Sequence, residues 1–127
     1  MTDRDNLAAL VTCIETYLDG LYDSDIARLA QVFHPQAHYV TASGASLLML
    51  DMPAYFAVVE KRPSPRSRGE TRQDQIVSVD FAGPVTARAH VRCRFLGRQF
   101  DDFLTFIRTE AGWQIISKVF HYVEEAG

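Results

Sequence analysis

Three residues in the C-terminal half carry side chains that could work together on a proton. Gly97-Arg98 and Ala111-Gly112 each read as a two-residue hairpin loop; counting outward from them puts Cys93 opposite Asp102, and Asp102 opposite His121, in one cross-strand row. Directly opposed residues of an antiparallel pair have Cβ atoms roughly 4.5 to 5.5 Å apart, so a carboxylate and an imidazole there can hydrogen-bond. Burial raises an aspartate's pKa and a protonated imidazole lowers it, and such opposed pressures are typical of acid/base sites. A buried Asp-His pair can also do no more than satisfy two core polar groups, and both readings stay open. Cys93 reads as a small core residue bordering the pair, because only His121 could activate its thiol.

Other residues belong to the same candidate site. Phe106 and Trp113 fall on the face that carries the pair, as aromatic walls for a flat ligand. Tyr17 lies on the apolar stripe of the first helix, from which its hydroxyl could reach a ligand or simply pack. His34 precedes Pro35 at a helix end, where an imidazole complements the helix dipole, and His38 alternates with Tyr39 on a short strand, so one of those two points inward. No two histidines share a helix face with a carboxylate partner, and Cys13 and Cys93 have no short spacing. Neither a metal nor a cofactor is therefore expected.

The 127 residues, 47% hydrophobic and 23% charged, describe one ordinary globular domain over 1–127. A net charge of −3 argues against a binder of nucleic-acid backbones. Lys61, Arg62, Arg66, Arg68 and Arg72 lie among Pro63, Ser64, Pro65, Ser67 and Gly69, which reads as a mobile basic loop: a solvated connector or a contact for an anionic partner. No stretch reaches the ~20 apolar residues of a membrane helix. The polar start lacks a secretory layout, so the expected location is cytoplasmic.

Positioning these groups requires helices first and strands afterwards. Leu7, Leu10, Val11, Ile14, Tyr17, Leu18 and Leu21 form one helical stripe, with Thr2 or Asp3 as cap. Asp23 or Ser24 caps a second helix ending at His34-Pro35, and Asp51 a third that stops at Arg62-Pro63. Short strands are expected over 37–42 and 46–50, and long ones over 73–81, 85–96, 99–109 and 113–123. The fold class is α+β, three helices packed on one face of a mainly antiparallel sheet. From the same counting, Val91, Leu104, Val119, Ile115 and Phe95 face the helices. Arg92, Phe103, Phe120, His90, Lys118, Ile107, Ile116 and Tyr122 face away. Apolar groups on an outer face suit a second copy of the chain, so a homodimer is expected.

The Ser24-Asp25-Ile26 step, Phe33-His34-Pro35-Gln36-Ala37 leading into a strand, and the terminal Gly112-Trp113-Gln114-Ile115 resemble the nuclear transport factor 2-like superfamily, which includes ketosteroid isomerases. Asp80-Phe81-Ala82-Gly83-Pro84, Asp102-Phe103-Leu104-Thr105-Phe106 and the run from Trp113 to Phe120 are similar to its subgroup labelled putative lumazine-binding. The resemblance implies a cone-shaped, strongly bent sheet with a pocket against the helices, and dimerisation through the sheet's other face. It implies that Tyr17 stands where isomerases place a tyrosine that stabilises an enolate oxygen. It puts Asp102 within about one residue of their second, protonated aspartate, and Thr41, which cannot take up a proton at neutral pH, at their general base.

The expected function is a pocket for a small aromatic or polycyclic molecule, acting as a cofactor-independent lyase or isomerase with Asp102, His121 and Tyr17 as catalytic groups. Cys93, His34, Tyr39, Trp113 and Phe106 are then the ligand contacts. A non-catalytic binding module and a homodimeric protein-interaction domain are the alternatives.

Overall fold

The first helix, α1 (Asp3–Asp23), starts at a capping box in which the Thr2 hydroxyl accepts from the Asp5 N–H and the Asp5 carboxylate accepts from the Thr2 N–H. Its stripe of Leu10, Ile14, Tyr17, Leu18 and Leu21 is buried. Ser24 ends the helix in the left-handed conformation (φ 48°), its N–H returning to the Gly20 and Leu21 carbonyls. Because Ser24 is spent on that turn, Asp25 caps α2 (Ile26–Val32) in its place, accepting from the Arg28 N–H. Gly20 allows the close approach of the two helices: a Cβ there would sit 2.8 Å from Leu29 Cδ2. Asp51 caps α3 (Met52–Lys61) by accepting from the Ala54 N–H, with Pro53 in the first turn, where its missing N–H does no harm.

These elements belong to a computed structural model that describes residues 2–125. The strands are β1 (Phe33–Thr41), β2 (Leu48–Leu50), β3 (Gln73–Phe81), β4 (Thr86–Phe95), β5 (Arg98–Thr109) and β6 (Gly112–Glu124). They form one curled sheet in the order β2-β1-β6-β5-β4-β3, antiparallel except for the parallel β1–β6 pair. The fold is α+β, and the core lies between its helices and the concave face of the sheet.

The register differs from the one counted out of the sequence, at three points. The first hairpin turns on Leu96-Gly97, both at positive φ (52° and 77°), so Phe95 pairs with Arg98 and Cys93 with Phe100. The second turns on Glu110-Ala111, with Gly112 already paired to Thr109. Each of these shifts slides neighbours along the strand but leaves every side chain on its expected face. The third does not. Phe106 pairs with Ile115 while Thr105 pairs with Ser117, so Ile116 is an extra residue in β6, a bulge. Beyond it every β6 side chain changes face. Lys118 and Phe120 turn inward, Val119 is 47% exposed, and His121 pairs with Asp101 on the outside. Asp102, fully buried, sits between Val91 and Phe120, so the Cys93–Asp102–His121 row does not form.

Two further regions are more ordered than their composition implies. The basic loop holds a short 3-10 turn (Arg66–Arg68), and its arginines are tied down. Arg66 pairs with Asp23, Arg72 with Asp19 and Asp74, and both lie against the Tyr22 ring. At the opposite end, buried Asn6 accepts from Trp113 Nε1 (2.9 Å) and Arg108 Nη1 (3.0 Å) and donates to the Pro84 carbonyl, joining α1 to three parts of the sheet.

Ser24 combines a left-handed backbone with a buried hydroxyl that has no hydrogen-bond partner. Glycine relieves both, so Ser24→Gly is expected to stabilise the protein by about 0.5–1 kcal/mol, read as a higher urea midpoint at unchanged m-value. An unchanged or lower midpoint would show that neither feature strains the native state.

Candidate functional site

Inward rotation of Lys118 creates the site. Helix α1 brings Tyr17, and β5 brings Asp102, whose Oδ2 accepts a 2.6 Å hydrogen bond from the Tyr17 hydroxyl. Lys118 Nζ lies 3.9 Å from the same oxygen, and the side chains of both charged residues are almost wholly out of water, at 4% and 0% exposed. The ammonium is ringed by Tyr17, Tyr39, Tyr55 and Phe120, with centroids 5.0 to 5.6 Å away, so its charge rests against aromatic faces as well as the carboxylate. Tyr39 stacks on Tyr55 (4.5 Å) and meets Phe120 (4.7 Å), while Phe95 stacks on Phe100 at the outer end of the same face.

Among the described residues Asp102 Oδ1, an acceptor, is buried with no hydrogen-bond partner, and the buried Tyr55 hydroxyl has no acceptor for its proton, the Arg62 guanidinium being near enough to donate to its oxygen. Burial, followed by the negative charge of Asp102, holds the Tyr17 phenol well above its usual range, so Tyr17 is a proton donor in this hydrogen bond. Burial likewise pushes up Tyr55 and Tyr39, the latter against the opposing pull of Lys118. The Cys93 thiol is raised by burial and then by Asp102, which leaves it protonated and a poor nucleophile.

Of the residues singled out in the sequence, Tyr17, Asp102, Tyr39 and Cys93 come together on the concave side. His121 does not: it is exposed and shares a 2.5 Å hydrogen bond with Ser43 Oγ, an outcome of the Ile116 bulge. His34 is also apart, its Nδ1 accepting from the Gln36 N–H, and of His38 and Tyr39 it is Tyr39 that points inward. Phe106 and Trp113 are buried in the other half of the core, where Trp113 bonds to Asn6. The Thr41 hydroxyl donates to the Phe120 carbonyl and accepts from the Ser43 N–H, so it is occupied by backbone.

Lys118 and Tyr55 were not among the sequence candidates. The one signal for Lys118 is the doublet Ile115-Ile116, two large apolar residues in succession where strict alternation would allow one; it marks the bulge. Tyr55 lies on α3, and Arg62 caps the end of that helix in an extended conformation that periodicity does not foresee. Among the described residues no group of His, Cys, Asp and Glu side chains could hold a metal ion, and no helix is long and apolar enough to cross a membrane.

Comparison with known proteins agrees with this architecture. A family model described as putative lumazine-binding matches residues 5–121. No curated protein matches the sequence. Among solved structures, an NTF2-like protein of unknown function from Silicibacter pomeroyi is 32% identical, with 97% of this chain and 100% of that one covered at a TM-score of 0.86. A second, from Shewanella baltica, is 22% identical over 98% and 99% (TM-score 0.84). A cystatin-like fold protein from Burkholderia xenovorans is 18% identical over 98% and 96% (TM-score 0.74). With its helices on a curled sheet and a family match from α1 into β6, the chain belongs to the putative lumazine-binding family of the nuclear transport factor 2-like superfamily.

Proposed function

We propose that the concave interior binds a small, flat organic molecule, whose polar edge meets Asp102, Tyr17, Tyr55 and Lys118 and whose ring lies against Tyr39, Phe100 and Phe120. One observation carries this reading: among the described residues Asp102 Oδ1 is a buried acceptor with no donor, and the buried Tyr55 hydroxyl has no acceptor for its proton. An unpaired buried polar group costs about 1–3 kcal/mol, more if charged, and a fold selected only for stability has simpler ways to fill the space. A ligand that donates to Oδ1 and accepts from Tyr55 removes both penalties. The family's description is compatible with a flat heterocycle as occupant.

A second reading, cofactor-independent proton transfer, is favoured by the same carboxylate. Oδ1 keeps free lone pairs for a substrate proton while Tyr17 holds Oδ2, so Asp102 would exchange the proton and Tyr17 or Tyr55 would donate to a developing oxyanion. His121 has no part in this scheme, since it lies on the other side of the sheet.

We also propose that the outer face of the sheet is the homodimer contact. Phe103 (64% exposed) and Val119 (47%) stand there beside a polar cluster in which His90 Nε2 and Arg92 Nε both bond to Asp101 Oδ1. These hydrogen bonds hold the Asp101 carboxyl below its usual range despite its partial burial. The two free thiols fit a reducing, cytoplasmic setting.

Two experiments test these proposals. Lumazine and related flat heterocycles, screened by thermal shift, are expected to raise the Tm by about 5 °C or more at a concentration near a hundred times Kd. Asp102→Asn is expected to weaken that binding at least about tenfold, roughly one lost hydrogen bond to a charged group. If no heterocycle moves the Tm, the interior is packing rather than a site; if the variant binds as well as the parent, the ligand does not meet Asp102 and the proposed site is refuted. For the outer face, sedimentation is expected to give a dimer for the parent and a monomer for Phe103→Asp, and a monomeric parent at micromolar concentration would refute the contact.

A further inference from the structure

The cluster holds more positive charge than its carboxylate can balance, and the surplus has a second source. Arg62 follows α3 directly and reaches back over the site: its guanidinium lies 5.5 Å from the Phe95 centroid, and its Nε is buried with no hydrogen-bond partner. Arg66, Arg68 and Arg72, a few residues further along the same segment, each have an acidic partner. Among the described residues Arg62 has none. Arg62 and Lys118 both act on the Tyr39 phenol, and Arg62 acts on Tyr55 as well, so the two cations flank the same pair of stacked tyrosines.

An inventory of donors and acceptors defines what is missing. Among the described residues Arg62 Nε–H is a buried donor without an acceptor, the Tyr55 O–H has no acceptor although the Arg62 guanidinium lies near enough to donate to its oxygen, and the nearest anionic atom to Lys118 is Asp102 Oδ2, at 3.9 Å and already taken by Tyr17. Asp102 Oδ1 is an acceptor without a donor. Two aromatic stacks, Phe95–Phe100 (4.7 Å) and Tyr39–Tyr55 (4.5 Å), flank these groups, with Arg62 over Phe95 and Lys118 over Tyr39 and Tyr55. A buried ammonium and a half-buried guanidinium share one carboxylate, and the buried part of that positive charge favours a second anion, because a desolvated charge needs a counter-charge and hydrogen bonds.

We infer that the ligand of this site is a small aromatic anion, a ring carboxylate or enolate held by Arg62, Lys118 and Tyr55, which also carries a ring O–H or N–H directed at Asp102 Oδ1. This rests on the reading of the interior as a pocket and narrows it to a chemical class. Arg62, half-buried at the end of α3, is the member of the set that meets the ligand from the solvent side.

The test compares 3-hydroxybenzoate with its neutral isostere 3-hydroxybenzamide by calorimetric titration of the full chain, with lumazine as an uncharged flat reference. The parent is expected to bind the benzoate at least about tenfold more tightly than the amide, a difference of roughly 1.4 kcal/mol. Arg62→Gln is expected to abolish that preference by weakening the benzoate far more than the amide, Arg62→Lys to restore part of it, and Arg68→Gln on the surface to leave it intact. Equal binding of acid and amide overturns the anion assignment while the pocket stands, as does binding of lumazine alone. A preference that survives Arg62→Gln overturns the role of Arg62. If none of the three compounds binds, the pocket itself is refuted, and the anion assignment with it.

Discussion

A single extra residue in β6 determines what the interior of this protein is made of. Without the Ile116 bulge the strand would present Val119 and His121 to the core; with it, the strand presents Lys118 and Phe120. An ammonium enters an aromatic interior only if something there receives its charge. Asp102 on the neighbouring strand and the four rings around Nζ do so. The bulge also increases the local twist of the strand, in keeping with the curl that lets one sheet wrap around the helices.

The core is therefore divided by chemistry. One half is a conventional packed interior, where Phe106, Ile115 and Trp113 are buried and Asn6 ties α1 to the sheet through three hydrogen bonds. The other half holds Tyr17, Asp102, Lys118, Tyr39 and Tyr55, with charged groups inside, Asp102 Oδ1 without a donor and the Tyr55 hydroxyl without an acceptor among the described residues. The first half fixes the position of α1, and through it the 2.6 Å contact between Tyr17 and Asp102. Packing at one end helps to hold the polar atoms at the other in place.

The outer surface follows the same economy of pairing. The arginines of the segment after α3 are nearly all neutralised by nearby aspartates or glutamates, which turns a stretch with the composition of a linker into a strap along α1 and β3. Against that background Arg62, which has no acidic partner among the described residues, stands out, and its guanidinium lies over the Phe95 ring.

Local chemistry in the sequence determined the elements. The Thr2 and Asp51 caps, the apolar stripe of α1 and the runs of alternating strand residues each act within a few positions of themselves, so helices-then-strands and the α+β class were legible, as was the inward side of β4 and β5; the cap of α2 was read at Asp23 or Ser24 and falls on Asp25. The two hairpin turns were misplaced by one residue each, since Leu96 adopts a left-handed conformation that a leucine seldom takes, yet this did not change faces. The tertiary structure alone decided on which face the end of β6 would fall. Side chains alternate with a period of two, so one bulged residue inverts everything after it, and whether the strand bulges depends on how Lys118 and Phe120 fare against Asp102, Tyr39 and Tyr55. Those partners come from β5, β1 and α3, and no local pattern in the chain encodes their meeting.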